Sequence, residues 1–206
     1  MPDPIVLDFD GVVLDSVDVK TKSFAALFEG EGPEVVAKVV AHHLANGGLS
    51  RFEKFRWIYR EVLKRPLTEA DEKRLGDEFN RLVEDRVLKA AFIPGAREFL
   101  EDHFKKRALY VASGTPEEEL RRIVERRGLA RFFRGVFGSP KTKDVILREI
   151  ALKEGVAAAR LTMVGDAKND LDAANKVGCR FVGVGGNFTN GTVVVADLTR
   201  LAEKVG

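Results

Sequence analysis

Short apolar runs alternate with longer helical patterns near both ends of this chain, and a purely helical stretch lies between them. The runs at residues 5–8, 108–112, 161–164 and 181–184 predict buried strands, with a weaker one at 193–196. Between them, apolar residues spaced three and four apart predict helices near 96–104, 117–127, 144–154 and 169–177. Strand–helix–strand alternation implies a parallel sheet covered by helices on both faces. In such a sheet, ligands collect beyond the carboxyl ends of the strands.

Residues 17–91 show no strand pattern. Phe24, Leu27 and Phe28 form one helical stripe, Phe52, Phe55 and Ile58 a second, and Leu75, Phe79, Leu82 and Val83 a third. The breaks at residues 30–33, at Gly47-Gly48 and at Pro66 divide this stretch into about four helices, and Pro94-Gly95 marks the return to alternation. The expected architecture is α/β: a doubly wound, Rossmann-like core from residues 1–16 and 92–206, with an all-helical insert at 17–91.

Charge changes the picture little. Lys+Arg 34 against Asp+Glu 32 leaves a net charge of only +2, which argues against a nucleic-acid partner held by a broad basic surface. The single cysteine, Cys179, excludes an intramolecular disulfide framework and reads as a small core residue. His42, His43 and His103 lack the spacing of a metal cluster. No apolar run of about 20 residues is visible, so no membrane partner is expected and the cytoplasm is the default location.

Four stretches at strand ends or helix starts carry chemistry. In Asp8-Phe-Asp10-Gly11, extended backbone puts both carboxylates on the same side at the end of a buried strand. Like charges that close call for a cation or a shared proton, and a carboxylate beside a cation can attack phosphorus while its neighbour moves protons. In Ser113-Gly114-Thr115-Pro116, Thr115 reads as a helix N-cap, Pro116 as the first helical residue and Glu118 as the rest of a capping box. That leaves the Ser113 hydroxyl and the amides from Gly114 onward to hold a phosphate oxygen. Lys141 and Lys143 open a helix, where a lysine can neutralise nucleophile and phosphate. In Gly165-Asp166-Ala-Lys168-Asn169-Asp170, the carboxylates stand one turn apart at a strand-to-helix junction, suited to magnesium.

Taken in order, these motifs resemble the haloacid dehalogenase-like hydrolase superfamily across nearly the whole chain, in particular its phosphatases with a helical cap. The resemblance implies that Asp8 is the nucleophile and Asp10 the general acid/base. It implies that Ser113 binds phosphate, and that Asp166 binds Mg2+ with Asp8 and the Asp10 carbonyl. Asp170, with Asn169 beside it, would orient the metal site. The run Lys143-Asp-Val-Ile146-Leu147 matches phosphoserine-phosphatase-like members, which favours Lys143 over Lys141. Residues 17–91 would be a mobile cap, in which Arg51 is a candidate clamp for a carboxylate or second phosphate, against a plain turn capped by Ser50.

The expected activity is hydrolysis of a small phosphorylated metabolite through an aspartyl-phosphate. The second aspartate of the first motif argues against a true dehalogenase. A Schiff-base lysine of the phosphonate-cleaving kind is not identifiable, and Lys20, Lys22 and Lys54 are expected to be solvated. The alternatives are a sugar phosphomutase of the same superfamily and, from another class, a phospho-accepting receiver-like domain. Substrate and oligomeric state are not legible.

Overall fold

A computed structural model describes residues 2–186, 188 and 191–205. Its strands are β1 (Ile5–Leu7), β2 (Leu109–Pro116), β3 (Gly135–Ser139), β4 (Thr162–Gly165), β5 (Arg180–Val184) and β6 (Val193–Val195). All pair in parallel, in the order β3-β2-β1-β4-β5-β6. The chain winds outward from β1 in one direction and then returns to β1's other side with β4. Binding sites of doubly wound sheets open at such a reversal.

The two faces of the sheet follow from the two-residue period of a strand. Ile5 and Leu7 face a core shared with α5 (Ala96–His103) and α6 (Glu117–Arg126). Val6 faces the opposite core, with Met163 and Tyr110 against α7 (Lys143–Glu154) and α8 (Lys168–Val177). Burial of both faces is why these strands read as unbroken apolar runs rather than as alternating ones.

Between β1 and β2 stand α1 (Val17–Leu27), α2 (Pro33–Ala45), α3 (Arg51–Trp57) and α4 (Glu69–Lys89), with a π-helical turn at Ile58–Val62 after α3. Phe24 binds three of these helices together, its ring 4.7 Å from Phe79 and 5.8 Å from Phe55. Thr68 caps α4 by accepting from the Asp71 amide. No helix among the described residues is long and apolar enough to cross a membrane.

β3 was not expected from the sequence. Its run, Gly-Val-Phe-Gly-Ser, carries two glycines and little apolar surface, and it lies at the sheet edge against β2. The β2–β3 register slips between Ala112 and Pro116, which frees residues 113–115 from the regular ladder.

Candidate active site

β1 delivers Asp8 to the centre of the sheet. The Asp8 amide donates to the Val164 carbonyl at 2.8 Å, which ties the end of β1 to β4. One carboxylate oxygen of Asp8 accepts from the Phe9 amide at 2.7 Å, and the other lies 2.8 Å from Lys143 Nζ. Asp8 is only 1 % exposed. The chain then turns through Gly11 at φ +79°, and a Cβ there would lie 2.2 Å from Asp166 Oδ2. Only glycine allows both that backbone and that approach.

Lys143, at the start of α7, is shared. Its ammonium also bonds the Asp170 carboxylate, whose other oxygen accepts from the Ala167 amide at 3.2 Å. Gly165 makes room for this, since a Cβ there would meet Asp170 Cβ at 2.3 Å. Lys141, by contrast, is exposed and pairs with Glu149. Of the two lysines, Lys143 is the one brought to Asp8.

Carboxylate oxygens of Asp8, Asp166 and Asp170 lie within 4.8 Å of one another. Burial pushes Asp8 well above the usual carboxylate range; Lys143 opposes this, while Asp170, Asp166 and Asp10 add to it. Asp166 is pushed up to about 7, first by burial and then by Asp170. Burial also raises Asp170, against the pull of Lys143. Lys143 itself is held above the ordinary lysine range, because Asp170 and Asp8 outweigh its burial. One lysine therefore leaves three carboxyls under-neutralised, two of them buried and that of Asp166 partly buried. An oxygen-only donor set with surplus negative charge, cradled by a glycine, fits a hard dication such as magnesium.

Asp10 is separate from this trio. Ser16 donates to one of its oxygens at 2.6 Å, while Lys20 (2.5 Å) and Thr115 (3.1 Å) donate to the other. Burial would raise its pKa, but Lys20 and the hydrogen bonds outweigh burial and lower it. Any contact of Asp10 with an ion in the trio is thus left to its main chain.

Thr115 corrects a sequence expectation. The helix it was expected to cap begins at Glu117, with Pro116 rather than Thr115 before it and no side-chain cap. The Thr115 hydroxyl instead joins Asp10 and Lys20, the latter at 2.8 Å. The slip in the β2 register turns it inward. Ser113, also buried, accepts from the Thr115 amide at 3.1 Å.

The insert closes over these groups. A Cβ on Gly114 would stand 2.1 Å from the Gly48 carbonyl, and one on Gly48 would stand 2.5 Å from Asn169 Oδ1 and 2.8 Å from Lys143 Nζ. Asn169 Oδ1 is buried and has no hydrogen-bond partner among the described residues. A cavity of about 270 Å3 lies on one side of the Gly48–Gly114 contact, reaching Asp10, Lys20, Thr115 and Asp166. A smaller one, about 170 Å3, lies on the other and reaches Ser113 and Lys143.

Arg51 lines the larger cavity, but its guanidinium is already engaged. It bonds Asn80 and both oxygens of Glu119, at 2.7 and 2.8 Å, and lies over the Phe79 ring. Lys20 and Lys54 correct a second expectation. Neither is solvated: the Lys20 side chain is 14 % exposed and Lys54 is 3 % exposed. Lys22 is solvated as expected, paired with Asp18. Sequence reasoning also missed Ser16 as a partner of Asp10.

Residues 3–178 match the family profile of haloacid dehalogenase-like hydrolases. The chain belongs to that family. Among curated relatives, the phosphoglycolate phosphatase of Vibrio parahaemolyticus is 27 % identical over 203 residues, covering 94 % of this chain and 88 % of its own. That of Aliivibrio fischeri is 26 % identical over 185 residues, covering 85 % and 80 %. Among solved structures, the β-phosphoglucomutase of Clostridium difficile superposes with a TM-score of 0.81 at 21 % identity, covering 100 % of this chain and 97 % of its own. At that identity the likeness speaks for the fold, and the chain shares the hydrolase family's α/β architecture.

Proposed function

We propose that this hydrolase is a magnesium-dependent phosphomonoesterase acting on a small phosphorylated metabolite through an aspartyl-phosphate on Asp8. The observation that carries the reading is the division of labour among four carboxyls, two buried and two partly buried. Asp8 shares Lys143 with Asp170, and carboxylate oxygens of Asp8, Asp170 and Asp166 lie within 4.8 Å of one another, while Asp10 stands apart among hydroxyl and ammonium donors. The relatives named phosphoglycolate phosphatases support a small phosphoester as substrate.

Asp8, Asp166 and Asp170, with the Asp10 carbonyl, would hold the ion. When bound, magnesium neutralises charge on nucleophile and phosphate. Asp8 Oδ2 then attacks phosphorus, with Lys143 opposing the charge that builds on the phosphoryl oxygens. Ser113 and the Gly114 amide are the proposed phosphate donors. Asp10 hands a proton to the departing alcohol and then removes one from the water that cleaves the phosphoenzyme. Its contact with Lys20 keeps it ionised in this arrangement, so the proton for the first step requires that contact to loosen. The helices at 17–91 act as the cap that excludes water during the first step.

A panel of phosphorylated metabolites assayed with magnesium, beside Asp8→Asn, tests this. Phosphate release by the wild type and a base-labile phosphoprotein, both absent from the variant, are expected. Release that persists in Asp8→Asn, or no release from any ester by the wild type, overturns the reading. A sugar phosphomutase would instead return an isomeric phosphate without free phosphate.

A further inference from the structure

Among the described residues, three cationic side chains are buried at or below one-tenth exposure: Arg51, Lys54 and Lys143. Arg51 has Glu119, and Lys143 has Asp8 and Asp170. Lys54 has no carboxylate partner among the described residues. Its ammonium lies 2.9 Å from His43 Nδ1 and 3.4 Å from the His43 carbonyl, with the Phe24 ring 5.6 Å away. An ammonium has three donors, so one is left without a protein acceptor. Lys54 and His43 both line the larger cavity, the one that reaches Asp10, Thr115 and Asp166.

A buried charge without a counter-ion is expensive, and the surroundings register that cost. Burial, then the charge of Lys20, pulls Lys54 down to about 7. His43 is pushed down to about 3 by burial and by Lys54, so it is a neutral acceptor and cannot compete for an anion. Among the described residues no group completes this site, yet it opens onto the cavity lined by Asp10, where the leaving group of a phosphoester bound at Asp8 would lie.

We infer that Lys54, positioned by His43, is the receptor for a carboxylate on the leaving-group side of the substrate. This rests on the phosphomonoesterase reading of the same cavity and adds to it the class of ester preferred: a phosphorylated hydroxy acid. The carboxylate supplies the missing counter-ion and takes the free donor of Lys54. A neutral leaving group leaves that donor unfilled.

The test compares matched pairs of esters in the presence of magnesium: 2-phosphoglycolate with 2-hydroxyethyl phosphate, and 3-phosphoglycerate with glycerol 3-phosphate. The wild type is expected to favour the carboxylated member of at least one pair in kcat/KM by tenfold or more, mainly through KM. Lys54→Met should collapse that ratio at least tenfold, and Lys54→Arg should restore part of it. Calorimetry in the Asp8→Asn background reads the same preference as dissociation constants without turnover. A wild type that does not discriminate, or a folded Lys54→Met with an unchanged ratio, overturns the inference. If no ester is hydrolysed at all, the phosphomonoesterase reading fails, and the calorimetric preference still decides the role of Lys54.

Discussion

Arg51 on α3 and Glu119 on α6 form a buried ion pair, one guanidinium nitrogen lying 2.7 and 2.8 Å from the two carboxylate oxygens. It is a charged link from the helical insert to the sheet-bearing part of the molecule. Removing one member strands the other. Arg51→Ala is expected to destabilise the fold by about 3–5 kcal/mol, and Arg51→Met with Glu119→Leu by much less. Urea denaturation of both variants checks this; an Arg51→Ala loss below about 1 kcal/mol would count against the pair as a structural link.

Lys143 serves two carboxylates at once. Lys143→Met should remove phosphate release and leave Asp8 and Asp170 without their cation, at a stability loss of about 3–5 kcal/mol in neutral, magnesium-free buffer. The loss should shrink in acid, where both carboxyls take up protons. Equal losses at pH 5 and pH 8 would refute the account.

The ion-free trio sets a pH dependence whose sign follows from proton counting. Asp166 holds its proton to about pH 7 when folded, against an unfolded value of 3.8. Between these values the folded protein carries the extra proton, so stability falls as pH rises through that window. Magnesium favours the ionised carboxyls. The rise in melting temperature on adding millimolar magnesium should therefore grow from pH 5 to pH 8 and level off above. A rise that is the same at every pH would exclude the trio as the ion site.

Lys54 runs the other way. Its folded value of about 7 lies below the ordinary 10.5. Below pH 7 both states are protonated, and the full penalty for burying the charge is present. From pH 7 to about 10.5 the unfolded chain binds more protons, and stability rises with pH. The stability gained by Lys54→Met over the wild type should thus be largest near pH 6, on the order of 3–5 kcal/mol as an upper bound, and should diminish towards pH 9. Denaturant melts of both proteins at the two pH values provide the measurement.

Much of this was legible in the sequence where local rules decide the outcome. The run before Asp8 declared a buried strand, but the strand ends at Leu7, and the Asp10 carboxylate, expected beside that of Asp8, turns instead to Ser16, Lys20 and Thr115. The stripes built on Phe24, Phe55 and Phe79 declared the helices that these rings join. What escaped depends on contacts between distant segments. A lysine on a helix is ordinarily solvated, and nothing near Lys20 or Lys54 in sequence announces Asp10 or His43 as a partner. Thr115 followed by Pro and Glu carries every mark of a cap, but the register slip in β2 redirects its hydroxyl to Asp10. β3 was hidden because an edge strand with two glycines has little apolar signal.

Where the Gly48 carbonyl leans on Gly114, two main chains meet with no space for a methyl group. That seam separates the hollow reaching Ser113 from the one reaching Asp166, and Asp8 lines neither. Under the phosphomonoesterase proposal, an ester that reaches Asp8 and both hollows at once would need this contact between the helical insert and β2 to open and close again with each substrate.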